Sequence, residues 1–278
     1  MKNIFLTALI LLVLVLFPLC SNAQNHSQNG WDSYNQGDYA KALEHFTNHL
    51  KSSPKDAVVL HGRALVNSLY GEYANALSDI NNSIKYYPKK DKENISKAYL
   101  ARADIYANIE ELEKALGDYN EAIKLEPKSI GAIGKRAHFY FYTKEYSKSD
   151  QDYNSILKMD ESQFFAYGGL GQNLLAQEKY EEAINMLSKG IRLSPNYSFA
   201  LSLRAWAYKQ LGKYDLSISD YEKVIVLSEN RDIGSFFHLG ECYREKGDYD
   251  QAIFNYEKAI NLESEEPELY AHWGDVKR

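Results

Sequence analysis

Apolar and polar positions along this chain recur with two periods at once. Over a dozen residues the apolar side chains fall at helical spacing; over longer stretches the whole pattern returns every 34 residues. From Ser198 to Glu229, for example, Ala200, Leu201, Ala205 and Tyr208 line one face of a helix. Gly212 then stops it, and a second helix runs from about Tyr214 through Ile218, Tyr221 and Ile225. Gly37, Tyr39, Ala42, Phe46 and Pro54 return 34 residues on as Gly71, Tyr73, Ala76, Ile80 and Pro88. That period predicts stacked helical hairpins. Comparable stretches begin near Ala23, Ala57, Ser96, Ile130, Phe164, Ser198 and Ile233, which makes seven units.

Two columns of small residues explain how such hairpins close. The first-helix column reads Gly30, Ala64, Ala103, Ala137, Gly171, Ala205, Gly240, and the second-helix column Ala42, Ala76, Ala115, Ser149, Ala183, Ser217, Ala252. Helices approach closely only where side chains are this small. Aromatic knobs fill the space that remains, among them Tyr39, Tyr73, Tyr146, Tyr180 and Tyr214 early in the second helix. Phe46, Tyr119, Tyr153, Tyr221 and Tyr256 follow seven residues later. A large residue at Ala183 is expected to clash, at a cost of about 1–3 kcal/mol.

These columns resemble the tetratricopeptide repeat family over about residues 24–264. The resemblance implies an all-α, right-handed superhelical α-solenoid whose first helices line a concave face that grips protein or peptide partners. The organisation expected is a signal peptide over 1–23 and a repeat solenoid over 24–266. Its units lie near 23–56, 57–90, 96–129, 130–163, 164–197, 198–231 and 233–266. Residues 267–278 then form a C-terminal capping helix or a truncated eighth repeat. The chain departs from the family pattern in places. The turn glycine is kept as Gly37, Gly71, Gly212 and Gly247 but becomes Glu110, Lys144 and Glu178 in the middle units. Those turns need another cap or must strain a residue into the left-handed region. Asp91 to Ile95 are extra, and read as a lengthened loop or a longer helix start.

One pattern is peculiar to this chain. Arg63, Arg102, Arg136 and Arg204 each precede the small first-helix residue, and 16 residues on stand Asp79, Asp118, Asp152 and Asp220. The other three units hold neither partner: Asn29 with His45, Leu170 with Met186, Leu239 with Asn255. Arginine and aspartate arriving together predict an ion pair between the two helices of a unit, though duplication of one ancestral unit explains the same pattern.

Charge and the first residues narrow the class. A formal net charge of −6 lacks the clustered cations that general nucleic-acid binding needs. Lys2, the apolar run Ile4 to Leu19, and Ser21-Asn22-Ala23 before Gln24 read as a cleaved export signal. Sixteen residues are short for a membrane span of about 20. Export to a periplasm, cell envelope or exterior follows, weakly bacterial in style. The alternative is anchoring through residues 4–19 or lipidation at Cys20, and membrane contact is otherwise not expected. Cys242 then remains as a single thiol on an apolar helical stretch, read as buried filler.

No constellation for catalysis is legible, so the chain reads as a non-enzyme that takes no cofactor and no metal. His45 and His49 have two-histidine metal spacing but lack a third ligand. Gly168, Gly169 and Gly171 fit neither phosphate-binding fingerprint. What remains is the inner wall of the first helices. His138, Phe141, Tyr142, Phe165 and Phe199 are candidates for gripping a partner segment, together with Trp206 and Phe237. Lys209, Glu241 and Arg244 stand at one end. Aromatic and arginine side chains of this kind dominate binding hot spots, although adjacent first helices could absorb half of them. At three sites where the family's carboxylate-clamp subset holds Lys or Asn, this chain has Ser27, Trp31 and Gly62, so clamp-type tail binding is not expected. The function expected is an exported, non-catalytic scaffold that holds a peptide or partner segment. A sensing module of a longer signalling protein is the alternative.

Overall fold

The structure is a computed structural model that describes residues 26–262. The expected signal segment, Cys20 and the final segment from 267 lie outside the described residues. Among the described residues every regular element is a helix. They form two compact units, one ending at Lys135 and the other beginning at Arg136.

The first unit opens with α1 (26–35) and α2 (Tyr39–Ser52). The hairpin of α3 (Ala57–Leu69) and α4 (Tyr73–Tyr86) follows, then that of α5 (Lys92–Asn108) and α6 (Leu112–Leu125). Helix α7 (Ile130–Tyr142) carries the boundary between the units. The second unit continues through α8 (Tyr146–Met159) to the hairpin of α9 (Phe164–Leu175) and α10 (Tyr180–Leu193). It then runs through α11 (Ser198–Gln210) and α12 (Tyr214–Leu227) to α13 (Ile233–Lys246) and α14 (Tyr249–Leu262). In the first unit α3 packs on α2 and α4, and α5 on α4 and α6; in the second α9 packs on α8 and α10, α11 on α10 and α12, and α13 on α12 and α14, while α9, α11 and α13 touch in succession. The chain is therefore an all-α array of helix-turn-helix repeats. Residues 92–95 lengthen α5 to 17 residues, and Asp91 before them caps its first turn, its side chain accepting from Asn94 N–H.

The turns inside the hairpins share one geometry whatever residue occupies them. At Gly71 the backbone is left-handed (φ 75°), and Glu72 N–H donates to Asn67 O at 2.8 Å. Glu110, Lys144 and Glu178 take the same conformation, at φ 62°, 61° and 59°. The amides after them reach back in the same way, Lys179 N to Leu174 O at 3.0 Å. The middle units thus keep the αL cap and bear the cost of a Cβ in it, about 1–2 kcal/mol each.

Packing follows the small columns. The Phe46 ring is fully buried between Gly30 of its own hairpin and Gly62 of the next. A Cβ on Gly62 would stand 2.6 Å from Phe46 Cζ. A Cβ on Gly171 would likewise stand 2.6 Å from Leu187 Cγ, so the small residue and the knob 16 positions on are complementary halves of one contact. Ala42, Ala64, Ala183 and Ala205 are likewise fully buried.

Each arginine of the recurring set meets its aspartate through two hydrogen bonds. Arg63 Nε and Nη2 donate to Asp79 at 2.7 and 2.8 Å, and Arg102 does the same to Asp118 at 2.7 Å twice. Arg136 reaches Asp152 at 2.8 and 2.7 Å, and Arg204 reaches Asp220 at 2.7 and 2.8 Å. All four aspartates are buried and the guanidinium groups are partly so. Such a fork-to-carboxylate pair fixes the relative rotation of the two helices as well as their spacing. Tyrosines four residues on lie under Arg102, Arg136 and Arg204 (Tyr106, Tyr140 and Tyr208), with centroids 5.7–5.8 Å away. The hydrogen bonds to the aspartates push these three guanidinium groups further above their ordinary range than burial pulls them down.

Candidate functional site

The second unit holds a hollow of about 540 Å³ on the face built by its first helices. Phe141 enters from α7, and Gln172 and Leu175 from α9, with Ala176 just after its end. Helix α11 supplies Ser202, Leu203 and Trp206. Gly234, Ser235 and His238 come from α13, with its cap Asp232, and Tyr221 comes from α12. The 34-residue register produces this convergence: Gln172 and Trp206 share one position of successive hairpins, and Phe141 and Leu175 another. Ser202 and Gly234 are small where the wall recedes. The resulting cavity is mostly apolar with a few polar groups, the composition of a ligand-binding concavity.

Its walls are braced from behind. Trp206 is half-buried, and its ring meets Tyr180 edge-on at 5.7 Å. Tyr221 is 2% exposed and stacks on His238 at 5.5 Å and 28°. Its Oη is buried with no hydrogen-bond partner among the described residues. Asp232 is committed to α13, accepting from Ser235 N–H at 2.6 Å.

Beside the hollow, Glu241 gathers two partners. Lys209 Nζ donates to its Oε2 at 2.6 Å, and His238 Nδ1 lies 2.8 Å from the same oxygen. Burial pushes the Glu241 carboxyl up, but these hydrogen bonds outweigh it and hold the group at about 2. Lys209 thus lies in an internal ion pair.

Of the aromatic candidates read from the sequence, Phe141 and Trp206 line the hollow, and the others stand elsewhere. His138 is exposed, 6.3 Å from the Phe141 ring, and Tyr142 is 58% exposed. Phe165 stands edge-on to Phe164, and Phe199 is 42% exposed beside Tyr197. Phe237 packs into the last core against Tyr256, and Arg244 meets Glu245 at 2.9 Å. Gln172 was missed although it lies 34 residues from both His138 and Trp206, a spacing that could have found it. Tyr221 stands in the column of packing knobs, and nothing in the sequence distinguishes it from the others.

Two further features of the first unit bear on chemistry. His49 Nε2 pairs with Asp56 at 2.8 Å, while His45 faces His26, Nδ1 to Nδ1, at 3.2 Å. Among the described residues no three His, Cys, Asp or Glu side chains form a metal-ligating group. Trp31 meets the Phe46 ring at 5.4 Å, and Gly62 abuts the same ring, so both serve packing. Among the described residues no helix is long and apolar enough to cross a membrane.

The hairpin geometry agrees with comparison to known proteins. Residues 96–129 and 169–232 match models described as tetratricopeptide repeat, and residues 240–277 match one described as TPR repeat. The chain belongs to the tetratricopeptide repeat family. It is 24% identical over 207 residues to a Hsp70-Hsp90 organizing protein of Triticum aestivum, a match over 74% of this chain and 35% of that protein. Among solved structures it resembles a tetratricopeptide repeat protein of Parabacteroides merdae, with TM-score 0.68 and 20% identity over 93% of this chain and all of the other. It also resembles YrrB, described as a TPR protein with an unusual peptide-binding site, with TM-score 0.51 and 20% identity over 70% and 97% of the two chains. These structural likenesses are likenesses of fold. The chain spans between 13% and 35% of the length of the curated relatives it matches.

Proposed function

We propose that this protein is an exported, non-catalytic scaffold that holds a segment of a partner polypeptide in the hollow of its second unit. The observation that carries the reading is the hollow itself. Four successive first helices converge on about 540 Å³ of mostly apolar space, with Trp206 and Phe141 as aromatic walls. Apolar, partly desolvated concavities of this kind anchor partner side chains. Family membership supports it, as does the likeness in fold to YrrB, a TPR protein with an unusual peptide-binding site. The Lys209–Glu241–His238 cluster is internally paired, which suits a structural edge better than an acid or base. Export rests on the sequence of residues 1–23.

The test is a photo-crosslinking amino acid placed at Phe141 in the full chain, expressed in its own cells. A polypeptide captured there, and lost in Trp206→Ala while the helical content and melt are kept, is the expected result. Capture that ignores Trp206→Ala, or no capture, overturns the groove. Sequencing the N-terminus of the cellular protein tests export separately: a start at Gln24 is expected, and an intact Met1 rejects cleavage.

A further inference from the structure

Asp232 is the one Asp, Glu, Lys or Arg among the residues that line the hollow. It is half-buried, and capping α13 takes only one of its oxygens: Oδ1 accepts from Ser235 N–H at 2.6 Å, while Oδ2 has no partner among the described residues. The cations around it do not answer that charge. Lys209 is engaged with Glu241, Arg204 with Asp220, and Arg231 with Glu229. The remaining polar groups of the lining can also accept. A carboxylate offers no proton, so His238 Nδ1 donates to Glu241 and Nε2 of the neutral ring is an acceptor. Gln172 and Ser202 add a carbonyl and a hydroxyl oxygen. The aromatic walls, Phe141 and Trp206, attract cations through their ring faces. The molecule holds its own arginines with the same two components: Arg102, Arg136 and Arg204 each combine an aspartate with a tyrosine ring.

From this we infer that the hollow takes an arginine side chain of an otherwise apolar partner segment, its guanidinium donating to Asp232 beside the aromatic walls. The inference rests on reading the hollow as a polypeptide site. Arginine suits it better than lysine, because a planar fork stacks on an aromatic ring and still donates in its own plane. Phe141, Leu175 and Trp206 hold the apolar flanks of the segment. The formal net charge of −6 acts in the same direction at longer range, favouring the approach of cationic segments.

The test uses the full chain, calorimetry and three probe peptides: acetyl-Phe-Leu-Arg-Leu-Phe-amide, its citrulline counterpart, and the citrulline peptide with a free N-terminal amine. Citrulline keeps the shape of arginine and removes the charge. The arginine peptide is expected to bind about tenfold more tightly than either of the others, the worth of a charge-assisted hydrogen bond. Asp232→Asn keeps the helix cap, since asparagine caps as well as aspartate, and should erase that preference while leaving the weaker apolar binding. Asp91→Asn, the same exchange at the cap of α5 in the first unit, should leave the preference intact. Equal binding of the arginine and citrulline amides, a preference for the free amine, a preference that survives Asp232→Asn or is lost equally in Asp91→Asn, or no binding of any peptide overturns the inference. A segment whose capture at Phe141 depends on Trp206 but not on Asp232 would leave the scaffold standing and remove only the arginine.

Discussion

Phe46 and Gly62 belong to different hairpins, yet the ring lies against the glycine so closely that a methyl group there would sit 2.6 Å from Cζ. Phe46 is fully buried and has nowhere to turn. Gly62→Ala should therefore lose about 1–2 kcal/mol, the overpacking cost exceeding the roughly 1 kcal/mol that alanine gains in a helix. Gly117, within α6, has open space where a Cβ would stand, so Gly117→Ala should gain up to about 1 kcal/mol. Urea melts of the two variants read this opposite sign directly, and losses in both would refute the packing argument.

Arg102 and Asp118 predict a second asymmetry. Asp118→Asn removes the charge opposite a guanidinium that is one-fifth exposed, 20% by side-chain area. A loss of about 3 kcal/mol is expected, at the low end for broken buried pairs because solvent still reaches the arginine. Replacing both residues, Arg102→Met with Asp118→Leu, should cost less than Asp118→Leu alone. A double variant as damaged as the sum of the singles would show that the pair has no coupling.

The left-handed turns predict a gain. Glu110→Gly, Lys144→Gly and Glu178→Gly each relieve a Cβ held at positive φ. Each should stabilise by about 1 kcal/mol, less the extra chain entropy of glycine. Gly212→Glu, the reverse exchange at φ 69°, should lose a similar amount. Unchanged melts in all four would mean that the turns relax at no cost.

His61 gives a pH dependence. Burial, with the charge of Lys97 next, holds its imidazole down at about 4. The unfolded chain binds this proton near pH 6.5 and the folded chain does not until about 4. Between those values the unfolded state carries more protons, so stability is full above pH 6.5 and falls as the pH drops through the window. The expected loss is about 3 kcal/mol. His61→Phe should flatten this part of the curve, and a variant as pH-sensitive as the parent rejects the assignment.

How much of this is legible in the sequence depends on how local each signal is. The hairpins are plain because Ala64, Ala76 and their equivalents recur at fixed spacing and helices demand small residues where they touch. The Arg–Asp spacing of 16 residues is equally visible, and the structure sets Arg63 and Asp79 2.7 Å apart. The left-handed turns at Glu110, Lys144 and Glu178 could be posed only as a choice between strain and another cap; backbone angles settle it in favour of strain. The hollow was legible only in part. Trp206 and Phe141 stand out by size, but a cavity is made by what is missing. Ser202 and Gly234 carry no signal of their own, and Tyr221 looks like every other knob.

The ring of Phe46, shared between Gly30 and Gly62, has a consequence for how such a chain can evolve. Neither glycine can drift without the other's hairpin noticing, although they lie 32 positions apart in the chain. A repeat joined in this way can be exchanged only for one that carries the matching half of the contact, because each holds half of a lock whose other half its neighbour keeps. Insertions are safest where α5 lengthened, in the segment before Ser96, upstream of the small residues that must meet.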